Sequence, residues 1–459
     1  MRIVVLGGGP GGYVAAIRAA QLGADVIIIE KNKIGGTCLN IGCIPTKVLL
    51  HAAEMIENSN YMEDIGIKFD NLTYDWDRIM SRKIEVVDQL VDGVKGLLIS
   101  NNIVIINGLG EFNTDKSIII TSGEECGKII EFDACIIAVG SESSIIPIKG
   151  IDLDGVVTSK EALSFRKIPD RMVITGGGVI GSEFAEIYSS FGSKVTIVEM
   201  ADSILPMIDK EIVSIAREKL FSKNIKIMEN ARVSEIYKKD SLVVKVKIND
   251  ETVEIKADKI LVAAGRKANT NSIKFEKIGI KSNHGMISVD ANMKTNLKNI
   301  YAVGDCNGGV MLAHVASAEG IVAAEDIMNK KTEIDFKTIP SAIYTKPEIA
   351  SVGIDETEAV KKGLKVSVGR FPLMVNGKSL IMGEEGLVKI VAESETEEIL
   401  GVQIIGPRAT DIIAEAALAI RLEATVNELI TTIHAHPTVS ESVMEAAMDV
   451  FGNAIHLPK

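Results

Sequence analysis

The chain has 459 residues, of which 46% are hydrophobic and 4% aromatic, and its formal net charge is -12. This length predicts about two to four domains. Nucleic-acid binding is not expected, because the negative charge repels polyphosphate and few aromatic rings are present for bases to stack on. No uninterrupted apolar run reaches the roughly 18 residues of a membrane span. Five cysteines in a long chain do not resemble a secreted disulfide framework, so a cytoplasmic protein is predicted.

Residues 2–31 and 171–200 repeat one pattern: an apolar strand, GxGxxG, a helix rich in small residues, a glycine turn and a second strand that ends in glutamate. The glycines form a tight turn and let a pyrophosphate approach the backbone, and the glutamate is placed to accept hydrogen bonds from a ribose. One GxGxxG is weak evidence, but two complete units predict two dinucleotide-binding domains. The residues so assigned are Gly7, Gly9, Gly12 and Glu30 in the first unit and Gly176, Gly178, Gly181 and Glu199 in the second.

Further apolar strands that run into glycine, at 134–141, 259–270 and 299–306, suggest that one nucleotide domain interrupts the other. The first domain is predicted to cover residues 1–142 and 271–337, and the second residues 143–270. Residues 338–459 alternate strand and helix patterns without a nucleotide signature. The predicted fold class is therefore α/β, with two Rossmann-like dinucleotide-binding domains and a C-terminal α+β domain in which oligomer contacts are expected.

A long helix is predicted between residues 74 and 101, before the second nucleotide unit. Apolar residues recur there at helical spacing, which indicates a face packed on the core and no chemistry. The residues predicted to form this face are Ile79, Val86, Leu90, Val94 and Leu97.

Cys38 and Cys43 lie in the stretch GGTCLNIGCIPTK, directly after the first nucleotide signature. Buried structural cysteines are common, and zinc is not indicated, because no second cysteine pair or close histidine accompanies these two. A disulfide within a regular helix is also excluded: the Cα atoms would lie roughly 8.7 Å apart, and bridging needs less than about 7 Å. The backbone between the thiols is therefore predicted to be irregular, with Gly42 and Pro45 as the cause.

The GGTCLNIGCIPTK stretch, the two nucleotide units and the C-terminal HAHPTVSE together resemble the pyridine nucleotide-disulfide oxidoreductases, over the whole chain. The resemblance implies that the first unit holds FAD, that the second holds a nicotinamide cofactor, and that Cys38 and Cys43 form a redox-active disulfide beside the flavin. It implies that Cys38 exchanges with the substrate and that Cys43 faces the flavin, in keeping with exchange through a mixed disulfide. Within the family the likeness is greatest to enzymes that oxidise protein-bound dihydrolipoamide.

The same resemblance implies further site residues. Lys47 would lie near the flavin with Glu183 as its carboxylate partner, although a solvated helix carboxylate is the alternative for Glu183. The FAD contacts would be Gly110, Gly140, Ser141, Asp305, Met311, Leu312, Ala313 and His314, and the nicotinamide-cofactor pocket would include Val179, Ile180, Val233 and Gly265. Cys306, beside Asp305, is expected to be an inert buried thiol.

An exposed thiol with a pKa of about 8.5 is mostly protonated at neutral pH, so fast exchange needs a proton acceptor. From the residues alone, Glu441 is either a capping-box residue with Thr438 or a partner of a catalytic histidine. The resemblance makes His436 the base, with Glu441 orienting its imidazole, and His434 a packing neighbour. It also places His436 in the partner subunit's active site, which implies a homodimer.

Glu199 would meet the 2′-phosphate of NADP with like charge, so NAD is the predicted nicotinamide cofactor. Glutathione and mercuric reductases are the alternatives within the family, and HAHPT and the absence of a terminal cysteine pair disfavour them. A noncatalytic flavoprotein scaffold is the alternative outside enzymes, and Cys38, Cys43 and His436 argue against it. The implied partner is a lipoylated carrier protein of a 2-oxo acid dehydrogenase or glycine cleavage complex.

Overall fold

A computed structural model describes residues 1–68, 70–249 and 251–458. Residues 69 and 250, in the predicted first and second domains, and residue 459, at the end of the third, lie outside the described residues. Among the described residues, no helix is both long and apolar enough to cross a membrane.

The first nucleotide unit is a parallel five-stranded sheet, built from strands on both sides of the second unit along the chain. The order across the sheet is Ile300–Ala302, Ala134–Ile137, Arg2–Leu6, Asp25–Glu30 and Val104–Asn107. A three-stranded antiparallel sheet adds Gly110–Thr114, Ser117–Ile120 and Ile129–Glu131. The helices are Pro10–Gln21, Gly36–Ile41, Cys43–Asp64, Trp76–Ser100 and Ala313–Ile327.

The second unit repeats this plan with its own parallel sheet, in the order Lys226–Met228, Lys194–Val198, Arg171–Thr175, Lys259–Val262 and Val156–Val157. Its helices are Ser159–Ala162, Val179–Ser190 and Lys210–Ser222. An antiparallel meander adds Ala231–Lys238, Leu242–Ile248 and Glu251–Ala257. The short strands Ser141–Ser143 and Arg266–Ala268 pair where the chain leaves the first unit and where it returns.

After this return the chain forms the short strands Ser282–Asn283 and Met286–Ile287 and the 3-10 turns Asn271–Ile273, Phe275–Ile278 and Gly304–Asn307. The C-terminal domain is an antiparallel sheet in the order Ser341–Ile343, Glu348–Gly353, Ile399–Gly406, Leu387–Glu393 and Val366–Pro372. Its helices are Glu356–Lys361, Gly377–Met382, Ala409–Arg421, Val426–Thr431 and Glu441–Asp449, with a 3-10 turn at Leu373–Val375. The predicted fold class is confirmed.

The helix predicted near residues 74–101 is present as Trp76–Ser100, but its predicted core face is only partly right: Val94 is buried and Ile79 packs against the core. Leu90 and Leu97 are 41% and 52% exposed. The buried face is rotated by one position and consists of Trp76, Lys83, Val87, Val91, Val94 and Leu98. This helix carries apolar residues on two faces, so helical spacing alone did not decide which of them packs on the core.

Two helices position the candidate site. The thiol helix, Cys43–Asp64, belongs to the first unit, and the cleft helix, Val179–Ser190, begins at the second nucleotide cleft. Leu49 of the thiol helix and Phe184 and Tyr188 of the cleft helix share one buried apolar cluster. The two units are therefore joined by continuous core packing, which fixes the two helix starts relative to each other.

Candidate functional site

The predicted irregularity between the two cysteines is a break between two helices. Cys38 lies in the short helix Gly36–Ile41, and Cys43 is the first residue of the thiol helix. Gly42 separates the helices with φ -144° and ψ -112°. A Cβ on Gly42 would lie 2.9 Å from the carbonyl oxygen of Thr37, so glycine is the residue that fits this break.

The Cys38 and Cys43 thiols interact directly and share their protons unequally. The side-chain hydrogen bond from Cys38 lowers the pKa of Cys43 to about 7, because it outweighs burial, and Lys47 lowers this pKa further. The same hydrogen bond and burial raise the pKa of Cys38. Within the reduced pair, Cys43 therefore carries the thiolate near neutral pH and Cys38 keeps its proton.

Lys47 and Glu183 form the ion pair that the family resemblance implied. The Lys47 ammonium lies 2.9 and 3.0 Å from the two carboxylate oxygens of Glu183. Glu183 is 3% exposed, so the alternative interpretation, a solvated carboxylate on the helix surface, is wrong. Tyr344, which the sequence analysis did not identify, places its ring 4.6 Å from the Lys47 ammonium and donates its backbone N–H to Glu183 at 3.2 Å.

The glycines of both nucleotide units shape matching clefts. Gly7 and Gly176 each have φ +104°, in the left-handed region. A Cβ on Gly12 would lie 1.9 Å from the Gly7 carbonyl oxygen, and Gly181 has the same relation to Gly176. The middle glycine is different: a Cβ on Gly9 would come no closer than 3.9 Å to another atom, and one on Gly178 would meet none within 4 Å. The open side lies at the helix start, where a pyrophosphate binds to free N–H groups.

Glu30 and Glu199 are held alike at the edges of the two clefts. One oxygen of Glu30 accepts the N–H of Gly8 at 2.7 Å, and the other accepts the amide two positions after the glutamate at 2.7 Å. Glu199 accepts the N–H of Gly177 at 2.6 Å and the corresponding later amide at 2.7 Å. Each carboxylate oxygen retains a lone pair, so both residues fit the ribose of a dinucleotide.

The strand ends that follow the first unit bring Ser141 and Asp305 together. The Ser141 hydroxyl donates to Asp305 and accepts a hydrogen bond from the Arg266 guanidinium at 2.7 Å. Arg266 also lies 3.7 Å from Asp305. Sequence reasoning missed Arg266, although it directly follows Gly265. Gly140 and Gly265 have φ +65° and +106°, and a Cβ on either would meet no atom within 4 Å.

The segment 311–314 precedes and opens the helix Ala313–Ile327, with Met311, Leu312 and Ala313 half-buried. The exposed His314 imidazole lies 2.9 Å from the Pro340 carbonyl oxygen through Nε2. The first N–H groups of this helix have no partner within it and can serve as hydrogen-bond donors to a ligand.

The remaining assigned residues differ in their surroundings. A Cβ on Gly110 would lie 2.8 Å from the side chain of Leu6, so core packing accounts for this glycine. Val179 is exposed at the start of the cleft helix, whereas Ile180 packs against the core. Val233 is buried in the core of the second unit, which leaves only its backbone for a cofactor contact.

His436 and Glu441 are paired, with His436 Nδ1 2.9 Å from a Glu441 oxygen. The other Glu441 oxygen accepts the N–H of Thr438 at 2.8 Å, so this carboxylate binds both the histidine and the backbone before the helix. Thr438 is not an N-cap, however, because the helix begins at Glu441 and Ser440 precedes it. The His436 side chain is 80% exposed, and its Nε2 is directed away from this pair.

Two other residues considered from the sequence, His434 and Cys306, are held by packing and hydrogen bonds. His434 is fixed between the Glu415 carboxylate at 2.8 Å and the Thr432 carbonyl oxygen at 2.9 Å. Cys306 is buried and donates to the Val303 carbonyl oxygen at 3.2 Å. Burial raises the pKa of Cys306 to about 12, so it stays protonated.

Known proteins match this arrangement along the whole chain. The family model described as pyridine nucleotide-disulphide oxidoreductase matches residues 1–320, and the model of that family's dimerisation domain matches residues 339–447. The chain belongs to the pyridine nucleotide-disulphide oxidoreductase family. Enzymes of this family use FAD and NAD, and the two clefts fit these dinucleotides.

Two named relatives indicate which enzymes of the family this chain is similar to. Dihydrolipoyl dehydrogenase from Bacillus subtilis is 43% identical over 470 residues, covering 99% of this chain and 98% of the relative. Dihydrolipoyl dehydrogenase 3 from Haloarcula marismortui is 39% identical and covers 99% and 97% of the two chains. Among solved structures, LpdA from Mycobacterium tuberculosis has a TM-score of 0.91 at 27% identity, covering 97% of this chain and 99% of that one.

Proposed function

We propose that this chain is a dihydrolipoyl dehydrogenase, which oxidises protein-bound dihydrolipoamide and reduces NAD+. The observation that carries the proposal is the reactive pair Cys38 and Cys43, with the Lys47–Glu183 pair beside it, between two dinucleotide clefts. Full-length relatives with this name support it. FAD, when bound in the first cleft, supplies the two-electron carrier between the thiols and the nicotinamide.

The chain's own residues carry out the thiol exchange. A deprotonated substrate thiol attacks Cys38 in the Cys38–Cys43 disulfide, and Cys43 leaves as a thiolate. The second substrate thiol then attacks the substrate sulfur of the mixed disulfide, so the substrate becomes a disulfide and Cys38 leaves as a thiol. Two protons leave the substrate and two electrons remain on the cysteine pair. Cys43 suits the leaving role, because its pKa of about 7 makes its thiolate stable near neutral pH.

The base for this exchange is proposed to be the partner subunit's His436. In the described part of this chain, the groups that shift the two thiol pKa values are the thiols, Lys47 and Glu183, and none is a histidine. Glu441 fixes Nδ1 of His436 and leaves Nε2 facing outward to accept a proton. On this proposal, each active site is built from two chains.

A homodimer through the C-terminal domain is supported by that domain's surface. The match to a dimerisation domain covers it, and large apolar side chains on the same domain are exposed in the single chain. Where such side chains lie together they mark an interaction surface. The side chains are Leu418, Leu422, Ile433, Phe451 and Ile455, of which Ile433 is 97% exposed.

Several further assignments belong to this proposal. The domains are residues 1–142 with 271–337 for FAD, 143–270 for NAD, and 338–459 for dimerisation. The residues assigned above to each cofactor would hold it through the two clefts, with Arg266 supporting Ser141 and Asp305. The location is the cytoplasm, and the partner is a lipoylated carrier protein of a 2-oxo acid dehydrogenase or glycine cleavage complex.

The proposal is tested by comparing disulfide substrates at equal concentration. Purified protein should carry FAD and should reduce lipoamide with NADH far faster than it reduces glutathione disulfide. In the forward direction it should oxidise dihydrolipoamide with NAD+. Faster turnover of glutathione disulfide than of lipoamide would contradict the assignment, and a pull-down with a lipoylated carrier protein as bait tests the partner separately.

A further inference from the structure

A short segment of the C-terminal domain, residues 344–346, runs along the cleft helix and binds two of its carboxylates. The Tyr344 amide donates to Glu183 at 3.2 Å, and the Lys346 amide donates to the two oxygens of Glu186 at 2.7 and 2.9 Å. Glu183 and Glu186 lie three positions apart and so share one face of the helix, and two amides of the segment, two positions apart, bind them. The segment and the helix are thus matched in spacing.

The side chains of the same segment reach the thiol helix. The Tyr344 ring lies over the Lys47 ammonium, 4.6 Å from the ring centroid, and the Lys346 ammonium donates to the side chain of Asn58. Residues 344–346 therefore contact both helices that hold the Lys47–Glu183 pair. A shift of this segment would change the surroundings of that pair directly.

Glu186 is the buried member of this arrangement. Its other charged neighbours come from two elements: Lys223 lies 3.1 Å away, and the same ammonium lies 2.9 Å from Glu57 of the thiol helix. Lys223 also donates to the Lys346 carbonyl oxygen at 2.8 Å. Burial raises the pKa of Glu186 to about 7 despite the attraction of Lys223. A buried carboxylate is costly, and the thiol chemistry proposed above does not use this one.

We propose that Glu186 is a positioning residue of the thiol site: by binding the Lys346 amide it holds residues 344–346 where Tyr344 contacts both Lys47 and Glu183, and so tunes the Cys43 thiolate. The inference rests on the redox role proposed above for Cys43. It assigns a function to a carboxylate that touches neither the thiols nor a nucleotide cleft.

The proposal predicts the sign of the effect on Cys43. Lys47 lowers the pKa of Cys43, and Glu183 raises it. The Tyr344 amide offsets part of the Glu183 charge, so loss of this contact strengthens the effect of Glu183 and draws Lys47 toward it. The pKa of Cys43 then rises. Removing the Glu186 charge without moving the segment does not raise the pKa of Cys43, because loss of a negative charge cannot favour the neutral thiol.

The test is a pH titration of the absorbance that a Cys43 thiolate gives with oxidised flavin. It uses the FAD-loaded enzyme in a Cys38→Ser background. Glu186→Ala should move the midpoint up by about 0.5 to 1 pH unit. Glu186→Gln keeps an oxygen that can accept the Lys346 amide, so its midpoint should stay at or below the parent value.

The matched control is Glu385→Gln, which breaks an exposed ion pair with Lys219, 2.8 Å long, between the second unit and the C-terminal domain. Its midpoint should equal that of the parent. If Glu186→Ala does not fold, Glu186→Asp keeps the charge, draws the acceptor back by one methylene and should raise the midpoint likewise. An unchanged or lowered midpoint in the folded alanine or aspartate variant overturns the proposal, as does a glutamine midpoint as high as that of alanine. The readout needs only FAD and Cys43, so it is independent of whether dihydrolipoamide is the substrate.

Discussion

Lys47 and Glu183 join the helix that begins at Cys43 to the helix that begins at the second nucleotide cleft, with the Lys47 ammonium 2.9 and 3.0 Å from the two carboxylate oxygens. The carboxylate is buried and the ammonium is partly exposed beneath the Tyr344 ring. Because Lys47 lowers the pKa of Cys43 and Glu183 raises it, this pair acts on the thiol with two opposed charges.

The first prediction separates those two charges. In a Cys38→Ser background, Lys47→Met should raise the midpoint at which the Cys43 thiolate appears by about 1 pH unit, because a stabilising cation is lost. Glu183→Gln should lower it, because the opposing carboxylate is lost. The thiolate-to-flavin absorbance measured against pH gives both midpoints, and shifts of the same sign in the two variants would contradict this electrostatic account.

The second prediction distinguishes the two thiols. Cys38→Ser should keep the thiolate-to-flavin absorbance at neutral pH, because the pKa of Cys43 is about 7 and a serine hydroxyl can replace the Cys38 hydrogen bond. Cys43→Ser should lack it. Spectra of the two variants with oxidised flavin at pH 8 decide the matter, and the reverse pattern would exchange the proposed roles. Cys306→Ser serves as the control, because that thiol is buried and protonated.

The third prediction concerns the choice of nicotinamide cofactor. Among the described residues, the partners of the Glu199 carboxylate are two backbone amides, and its charge would repel a 2′-phosphate. Glu199→Gln keeps an oxygen to accept the Gly177 amide but removes the charge, so the preference for NADH over NADPH should narrow by about tenfold. The ratio of kcat/KM values for the two cofactors measures this. Glu254→Gln, an exposed change in the same unit, should leave the ratio unaltered, and an unaltered ratio in Glu199→Gln would remove Glu199 as its cause.

The fourth prediction addresses the base. His436→Ala should slow the reaction with dihydrolipoamide by about 10² or more, while reduction of the flavin by NADH stays comparatively intact. Glu441→Gln keeps an oxygen that can accept a hydrogen bond from His436 but removes the charge, and should give a smaller loss in the same half-reaction. Stopped-flow measurement of each half-reaction separates the effects. His284→Asn, at an exposed turn, is the matched control, and equal slowing of both half-reactions in His436→Ala would exclude a role specific to the thiols.

The sequence predicted features that depend on local backbone geometry. Gly7 and its counterpart in the second unit have left-handed dihedrals, and Gly12 and its counterpart lie close to another backbone. Glycine is needed at these positions, so the sequence shows glycines at a fixed spacing. Gly42 was predictable for a similar reason, because two cysteines at this spacing can be bridged only if the helix is broken between them. The Lys47–Glu183 pair joins residues far apart in the chain, and only the family resemblance indicated it.

Other features left no local signal. Arg266 and Tyr344 act through contacts that the fold creates: Arg266 follows a strand that runs into glycine, but that pattern does not identify its partners Ser141 and Asp305. The partly wrong face of the helix Trp76–Ser100 has a related cause: Leu90 and Val91 are both apolar, and only the position of the neighbouring sheet selects Val91 for the core.

The central claim is that electrons from dihydrolipoamide enter through the thiols of one chain with a base from the other. Subunit mixing tests it most directly. Cys38→Ser and His436→Ala homodimers are each inactive on this account, but a heterodimer of the two holds one active site with an intact disulfide and an intact histidine. Dihydrolipoamide oxidation by NAD+ should therefore recover partly in heterodimers whose formation is verified by native mass measurement. Verified heterodimers as inactive as the two parents would contradict the shared site.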